Sequence, residues 1–145
     1  MSVEENKAIM RRWYEEVLNK GNLAVVDELI ATDCVDHNPL APELPAGLEG
    51  VKQGFTMFRT AFPDVRVTVE DMIAEGDKVV SRLTLRGTHK GEFMGIAPAG
   101  KQVTVASIDI VRIAGGKMVE HWDVIDELSM MQQLGVVPPP GEPRG

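Results

Sequence analysis

The sequence predicts an α+β fold with helices first and an antiparallel sheet after them, and two observations predict it. Apolar residues recur about every four positions as far as Phe62, the spacing of one helix face, and every two positions from Val65 onward, the spacing of one strand face. The breaks in the second half, Glu75-Gly76-Asp77 and Gly115-Gly116, are hairpin turns rather than the crossover helices of a parallel sheet.

In chain order, Ser2-Val3-Glu4-Glu5 fits a capping box, and Ile9, Trp13 and Val17 follow at helical spacing until Gly21 ends the helix. Asn22 caps a second helix, Leu23 to Ile30, with Leu23, Val26 and Ile30 on one face. Thr32 to Gly50 holds Pro39, Pro42, Pro45, Gly47 and Gly50, too many breakers for regular structure, so this stretch with its run Asp36-His37-Asn38-Pro39 is expected as an ordered loop. Val51, Phe55, Phe58 and Phe62 mark a third helix, stopped by Pro63-Asp64. Val65, Val67 and Val69 then alternate with polar residues, and Val79, Ser81, Leu83 and Leu85 alternate against Val80, Arg82, Thr84 and Arg86, which makes a hairpin. A Gly-rich link, Gly87 to Gly100, leads to a long strand, Gln102 to Ile113, a last strand, Met118 to Ile125, and a short helix, Glu127 to Leu134. Residues 1–136 read as a single domain and residues 137–145 as a Pro-rich tail.

Composition narrows the function. With 145 residues the chain has room for one domain and a sizeable core. Fifteen Lys and Arg against 22 Asp and Glu give a net charge of −7, which leaves no basic stripe for phosphates and argues against a nucleic-acid partner. No apolar run approaches the roughly 20 residues of a membrane helix, so no membrane partner is expected. The acidic start Met1 to Lys7 lacks a secretion signal, and a cytoplasmic location is expected. A lone Cys34 makes neither an internal disulfide nor a CxxC pair. There is no Gly-rich phosphate loop before a helix and no nucleophile-elbow pattern around a serine. His37, His89 and His121 show no metal-ligand spacing, so neither a metal nor another cofactor is expected. The long strand is apolar on both faces, Val103, Val105, Val111 and Ile113 on one and Ala106, Ile108 and Ile110 on the other, so a second subunit is expected over the outer face of a homodimer.

Chemistry concentrates on the last two strands. Asp109 sits mid-strand among valines and isoleucines, where a carboxylate needs a partner or a raised pKa. A two-residue loop at Gly115-Gly116 would set it opposite Trp122. A three-residue loop, Gly115 to Lys117, sets it opposite Asp123, with Val111 opposite His121 and Arg112 opposite Glu120. The second register is preferred because it pairs Arg112 with Glu120, and it makes a cluster of Asp109, His121 and Asp123 in an apolar wall. A buried ion pair of Asp109 with Arg82 or Arg66 is the rival arrangement, Asp123 and the histidines have ordinary structural roles open to them, and Trp13, Phe55, Phe58 and Phe62 fit either a core or a pocket wall. What remains is cofactor-free acid/base work by a carboxylate in an apolar pocket.

Asp36-His37-Asn38-Pro39, Phe58-Arg59-Thr60-Ala61-Phe62, Gly87-Thr88-His89-Lys90-Gly91, Val111-Arg112-Ile113, Gly116-Lys117, Glu120-His121-Trp122-Asp123 and Gln133-Leu134-Gly135 together resemble the SnoaL-like polyketide cyclases over roughly residues 5 to 136. The resemblance implies the fold of nuclear transport factor two and ketosteroid isomerase: a cone of curved antiparallel strands closed by the N-terminal helices, with an internal apolar pocket, in a dimer. It implies ring closure of a small hydrophobic polyketide by intramolecular aldol condensation, without metal or cofactor. It places the acid/base aspartate on Asp123, a loop asparagine on Asn38, and Asp109 where the family has a pocket histidine. Asp109 and His121 are then expected to tune or orient Asp123, and Asn38, His37, His89, Trp13 and Phe55 to bind substrate. Epoxide hydrolases of the same fold use an Asp-Arg-Asp set to activate water; here Ser107, not Arg, stands two residues before Asp109, and Arg82 or Arg66 would have to complete it. A non-catalytic pocket that binds a small apolar molecule is the other alternative.

Overall fold

The structure, a computed structural model, describes residues 2–138. Ser2 accepts a hydrogen bond from the Glu5 amide, and the Glu5 side chain reaches back to the Ser2 amide, so the capping box starts helix α1, Val3–Arg12. The helix runs on as a π-helical segment, Trp13–Asn19, and Gly21 ends it at φ 73°. Asn22 caps α2, Leu23–Leu29. Strand β1, Ile30–Asp36, comes next, then α3, Gly47–Ala61, β2, Arg66–Glu75, β3, Lys78–Thr88, β4, Gln102–Ala114, β5, Lys117–Ile125, and α4, Glu127–Gln133. Residues 139–145 of the Pro-rich tail lie outside the described residues.

The five strands form one sheet in the order β1-β5-β4-β3-β2. Strands β2 to β5 are antiparallel neighbours, as the alternation predicts. Strand β1 corrects the sequence reading twice: part of the expected helix end and loop is a strand, and it pairs parallel with β5, so the sheet is mixed. Helix α3 also begins earlier than expected. Gly50 lies inside it because a side chain there would collide with the Pro45 carbonyl, so this glycine marks close approach rather than a break.

The last hairpin reaches the expected register by another route. Gly115 and Gly116, at φ 59° and 77°, make a two-residue turn, with Ala114 opposite Lys117 and Ile113 opposite Met118. Val119 is then an extra residue, a bulge, after which Arg112 faces Glu120, Val111 faces His121 and Asp109 faces Asp123.

The inner face of the sheet packs against the helices in two clusters. One joins Met10, Val17, Val26 and Leu29 to Val79, Leu83, Val111 and Ile113; the other gathers Phe62, Phe93, Val103, Met130 and Leu134. Among the described residues no second layer covers the outer face: Ile73 and Val124 are 65% and 76% exposed. Among the described residues no helix is long and apolar enough to cross a membrane.

Candidate active site

Register brings the polar groups together. Asp109 and Asp123 face each other, His121 lies opposite Val111, and Asp36 enters because the parallel pairing of β1 sets it beside His121. Asp109 is only 8% exposed. The Tyr14 hydroxyl donates to its Oδ2 at 3.0 Å, and His121 Nε2 stands 3.7 Å from its Oδ1. His121 Nδ1 donates to Asp36 Oδ1 at 2.9 Å. That same oxygen accepts the Asn38 amide at 3.0 Å, and Asn38 Oδ1 accepts the Asp123 amide at 3.0 Å, which ties the loop after β1 to β5.

Electrostatics separate the titrating groups. Burial pushes Asp123 up; the His121 charge opposes it, while the negative charges of Asp109, Asp36 and Glu127 add to it, and the carboxyl settles at about 6. Burial would lower His121, but contact with Asp109 and Asp36 outweighs it and raises the imidazole to about 10. For Asp36, burial likewise loses to the His121 hydrogen bond and charge, and its carboxyl stays below the ordinary range. Burial and the Asp109 charge hold the Tyr14 phenol well above its usual value. Near neutrality the site therefore holds an imidazolium flanked by carboxylates, with a more basic carboxylate beside it.

These groups open on a cavity of about 550 Å³, walled by apolar side chains such as Trp13, Phe55, Phe58, Leu83 and Val105. Asn38, Asp109, His121 and Asp123 also line it, so with Trp13 and Phe55 six of the eight residues expected to catalyse or bind converge there. His37 and His89 do not. His37 follows inward-facing Asp36 and so points to the other face, stacked on Trp122 at 4.8 Å with Nε2 2.7 Å from Glu120 Oε2. His89 is fully buried, stacked on Phe62 of the second apolar cluster, and its ring nitrogens have no hydrogen-bond partner among the described residues. Substrate contact through either ring is not what this arrangement provides.

Two residues of the site escaped the sequence reading. Tyr14 adjoins Trp13, and in an α-helix successive side chains diverge by about 100°. Here Tyr14 reaches Asp109 while Trp13 lines the cavity, at the point where the helix becomes π-helical. Asp36 was legible only as part of a loop motif, since nothing local announces a strand that pairs with β5 some 85 residues away.

Arg82 turns to the outer face and bonds Asp71 at 2.8 Å, so it does not reach Asp109. Among the described residues no arginine lines the cavity, and they do not assemble the Asp-Arg-Asp set. Asp109, His121 and Asp123 can each offer a ligand atom within 4.8 Å of the others.

A curved sheet covered by helices around an acid-lined apolar cavity is the architecture of the nuclear transport factor two class. The chain belongs to the SnoaL-like polyketide cyclase family, whose pattern matches residues 8–134. It is 31% identical over 126 residues to the aklanonic acid methyl ester cyclase DnrD of Streptomyces peucetius, a match spanning 83% of this chain and 84% of that one. Among solved structures it is similar to TsrD of Streptomyces laurentii, with TM-score 0.86 and 28% identity over 94% of this chain and 99% of that one. It is also similar to IdmH of Streptomyces antibioticus, with TM-score 0.77 and 36% identity over 90% and 99%.

Proposed function

We propose that this chain is a cofactor-free acid/base enzyme that closes a ring in a hydrophobic polyketide ester by intramolecular aldol chemistry, with Asp123 as the acid/base. The observation that carries the reading is a carboxyl poised near neutrality at the wall of an apolar cavity of about 550 Å³. Such a volume accommodates one fused-ring molecule. A general base works best when its pKa lies near the working pH, because it is then both ionised and basic enough to take the proton. Asp123 removes a hydrogen from a carbon next to a carbonyl. The carbanion attacks a second carbonyl of the same molecule, and Asp123 returns the proton to the oxygen formed there. Asp109 keeps Asp123 basic through its charge, and the apolar walls fold the substrate and exclude water. Membership in the family and likeness to an aklanonic acid methyl ester cyclase support an aromatic keto ester as substrate.

The test is turnover of a panel of aromatic polyketide methyl esters and of epoxides by the wild type and Asp123→Asn. Ring closure of a keto ester is expected, and the variant should lose about 10²–10⁴-fold in rate, the usual contribution of a general acid/base, with its melting temperature preserved. Epoxide opening alone would establish water activation, and saturable binding without turnover would establish a binding domain; either result overturns the cyclase reading.

A further inference from the structure

The geometry points to His121 as a second catalytic group, a charged N–H donor that holds the carbonyl oxygen on which negative charge collects when Asp123 takes the neighbouring carbon's proton. This inference rests on the aldol reading above. A charged imidazole has two donors. Nδ1 is committed to Asp36 at 2.9 Å. Nε2 is held only by a long ion pair to Asp109 Oδ1, at 3.7 Å beyond hydrogen-bond range, while the other Asp109 oxygen accepts from Tyr14, so the Nε2–H can still be given to a ligand in the cavity. The ring lines the cavity, and its ligand atom lies within 4.8 Å of an Asp123 oxygen. One carbonyl unit can therefore present its α-hydrogen to Asp123 and its oxygen to Nε2.

The surroundings favour the cation. Facing the ring are Asp36 from β1, Asp109 from β4, Asp123 from its own strand and the Tyr14 phenol from the π-helical segment. Glu120, on the opposite face of β5, is engaged by Arg112 and His37. Two flanking carboxylates hold the ring in place and protonated, so it enters the reaction already aligned. The other donors are less free: the Tyr14 hydroxyl is spent on Asp109, and Asn38 offers only a neutral amide.

The step balances without a co-reactant. The Asp123 carboxylate removes the α-proton, and the C–H electron pair moves into an enolate whose oxygen accepts from Nε2–H. The enolate carbon bonds to the second carbonyl carbon, and that oxygen takes the proton back from Asp123. His121 donates a hydrogen bond throughout and never gives up its proton, which distinguishes it from an acid/base partner.

Substituted 2-naphthols, whose naphtholate copies an aromatic enolate, provide a probe that needs no turnover. In Asp123→Asn, whose amide imitates the carboxyl after it has taken the proton, absorbance should show the naphthol bound in its ionised form. Adding His121→Gln, which keeps an N–H donor but removes the charge, should abolish that preference. In an otherwise wild-type background His121→Gln should lower kcat by about 10²–10³-fold, the range for one oxyanion donor, with KM changed far less. Asp36→Asn keeps the ring and weakens its hold on the proton, so it should add a falling limb to the pH–rate profile above neutrality that the wild type lacks below about 10. Neutral naphthol bound equally with and without His121, or an unchanged kcat in His121→Gln, overturns the inference and leaves the cyclase reading standing. Loss of naphtholate binding in His121→Gln, in a wild type that closes no ring, upholds the oxyanion site and overturns the cyclase reading instead.

Discussion

Asp123 and His121 sit two residues apart on one strand and are both pushed upward, so both contributions to stability fade as pH rises, each in its own range. His121 holds its proton up to about 10 against an ordinary 6.5. A cationic group raised on folding contributes stability that is complete below its unfolded value and lost as pH climbs through its folded one. Asp36, lowered on folding, contributes stability above its ordinary 3.8 that is lost as pH falls. Asp123, raised to about 6, is the reverse: it favours the folded state below its unfolded value and loses that contribution as pH rises through about 6. Urea titrations from pH 7 to 9.5 should therefore show wild-type stability declining, with a flatter curve for His121→Gln; parallel curves would contradict the imidazolium. The sequence singled out Asp109, His121 and Asp123 because charge on an apolar strand face is conspicuous. Read as a loop, Asp36-His37-Asn38 gives His37 no definite face, whereas the end of strand β1 turns Asp36 inward and His37 outward to Glu120. The His89 ring, buried and without a hydrogen-bond partner among the described residues, breaks the rule that buried polar groups are bonded, and no sequence pattern announces such an exception.

The elements that place these residues depend on two glycines that act for different reasons. Gly115 supplies a left-handed turn position with open space around it, so Gly115→Ala should cost about 1–2 kcal/mol, the strain of that conformation in an L-residue, and leave the site intact. Gly50 has no room: a methyl group would strike the Pro45 carbonyl, so Gly50→Ala must push apart α3 and the loop before it and distort the cavity they line. Urea denaturation paired with dye binding in the cavity separates the two. Equal losses, or an unaffected cavity in Gly50→Ala, would contradict the assignment. Alternation and turn residues are local signals, so β2 to β5 were readable. Strand β1 was not, because a parallel edge strand containing Thr32, Asp33 and Asp36 gains its order from β5 rather than from its own composition. The bulge at Val119 was invisible for a related reason: a one-residue insertion and a longer loop give the same register beyond it.

For the whole molecule, the sheet separates an acid-lined cavity from an outer face that the described residues leave bare. Ile73, Ile108 and Val124 are exposed there beside half-buried Val80, Ile110 and Trp122. Contiguous apolar surface of this kind marks an interface, and we propose that a second copy covers it, as the two-sided apolar strand suggests. Light scattering at micromolar concentration should give twice the 15.9 kDa of the chain, with Val124→Lys moving the mass toward that of the monomer; a monomeric wild type would contradict the interface. Fold, cavity and charge meet in one quantity, the proton affinity of Asp123, which follows from its burial between helices and sheet and from Asp109 across the hairpin. Carbon-13 carboxyl NMR of labelled protein from pH 3 to 8 measures it directly. The expected result is an Asp123 midpoint near 6 that moves down in Asp109→Asn. A midpoint at the ordinary value of about 3.9, or one that Asp109→Asn leaves in place, would contradict a site built to exchange a proton near neutrality.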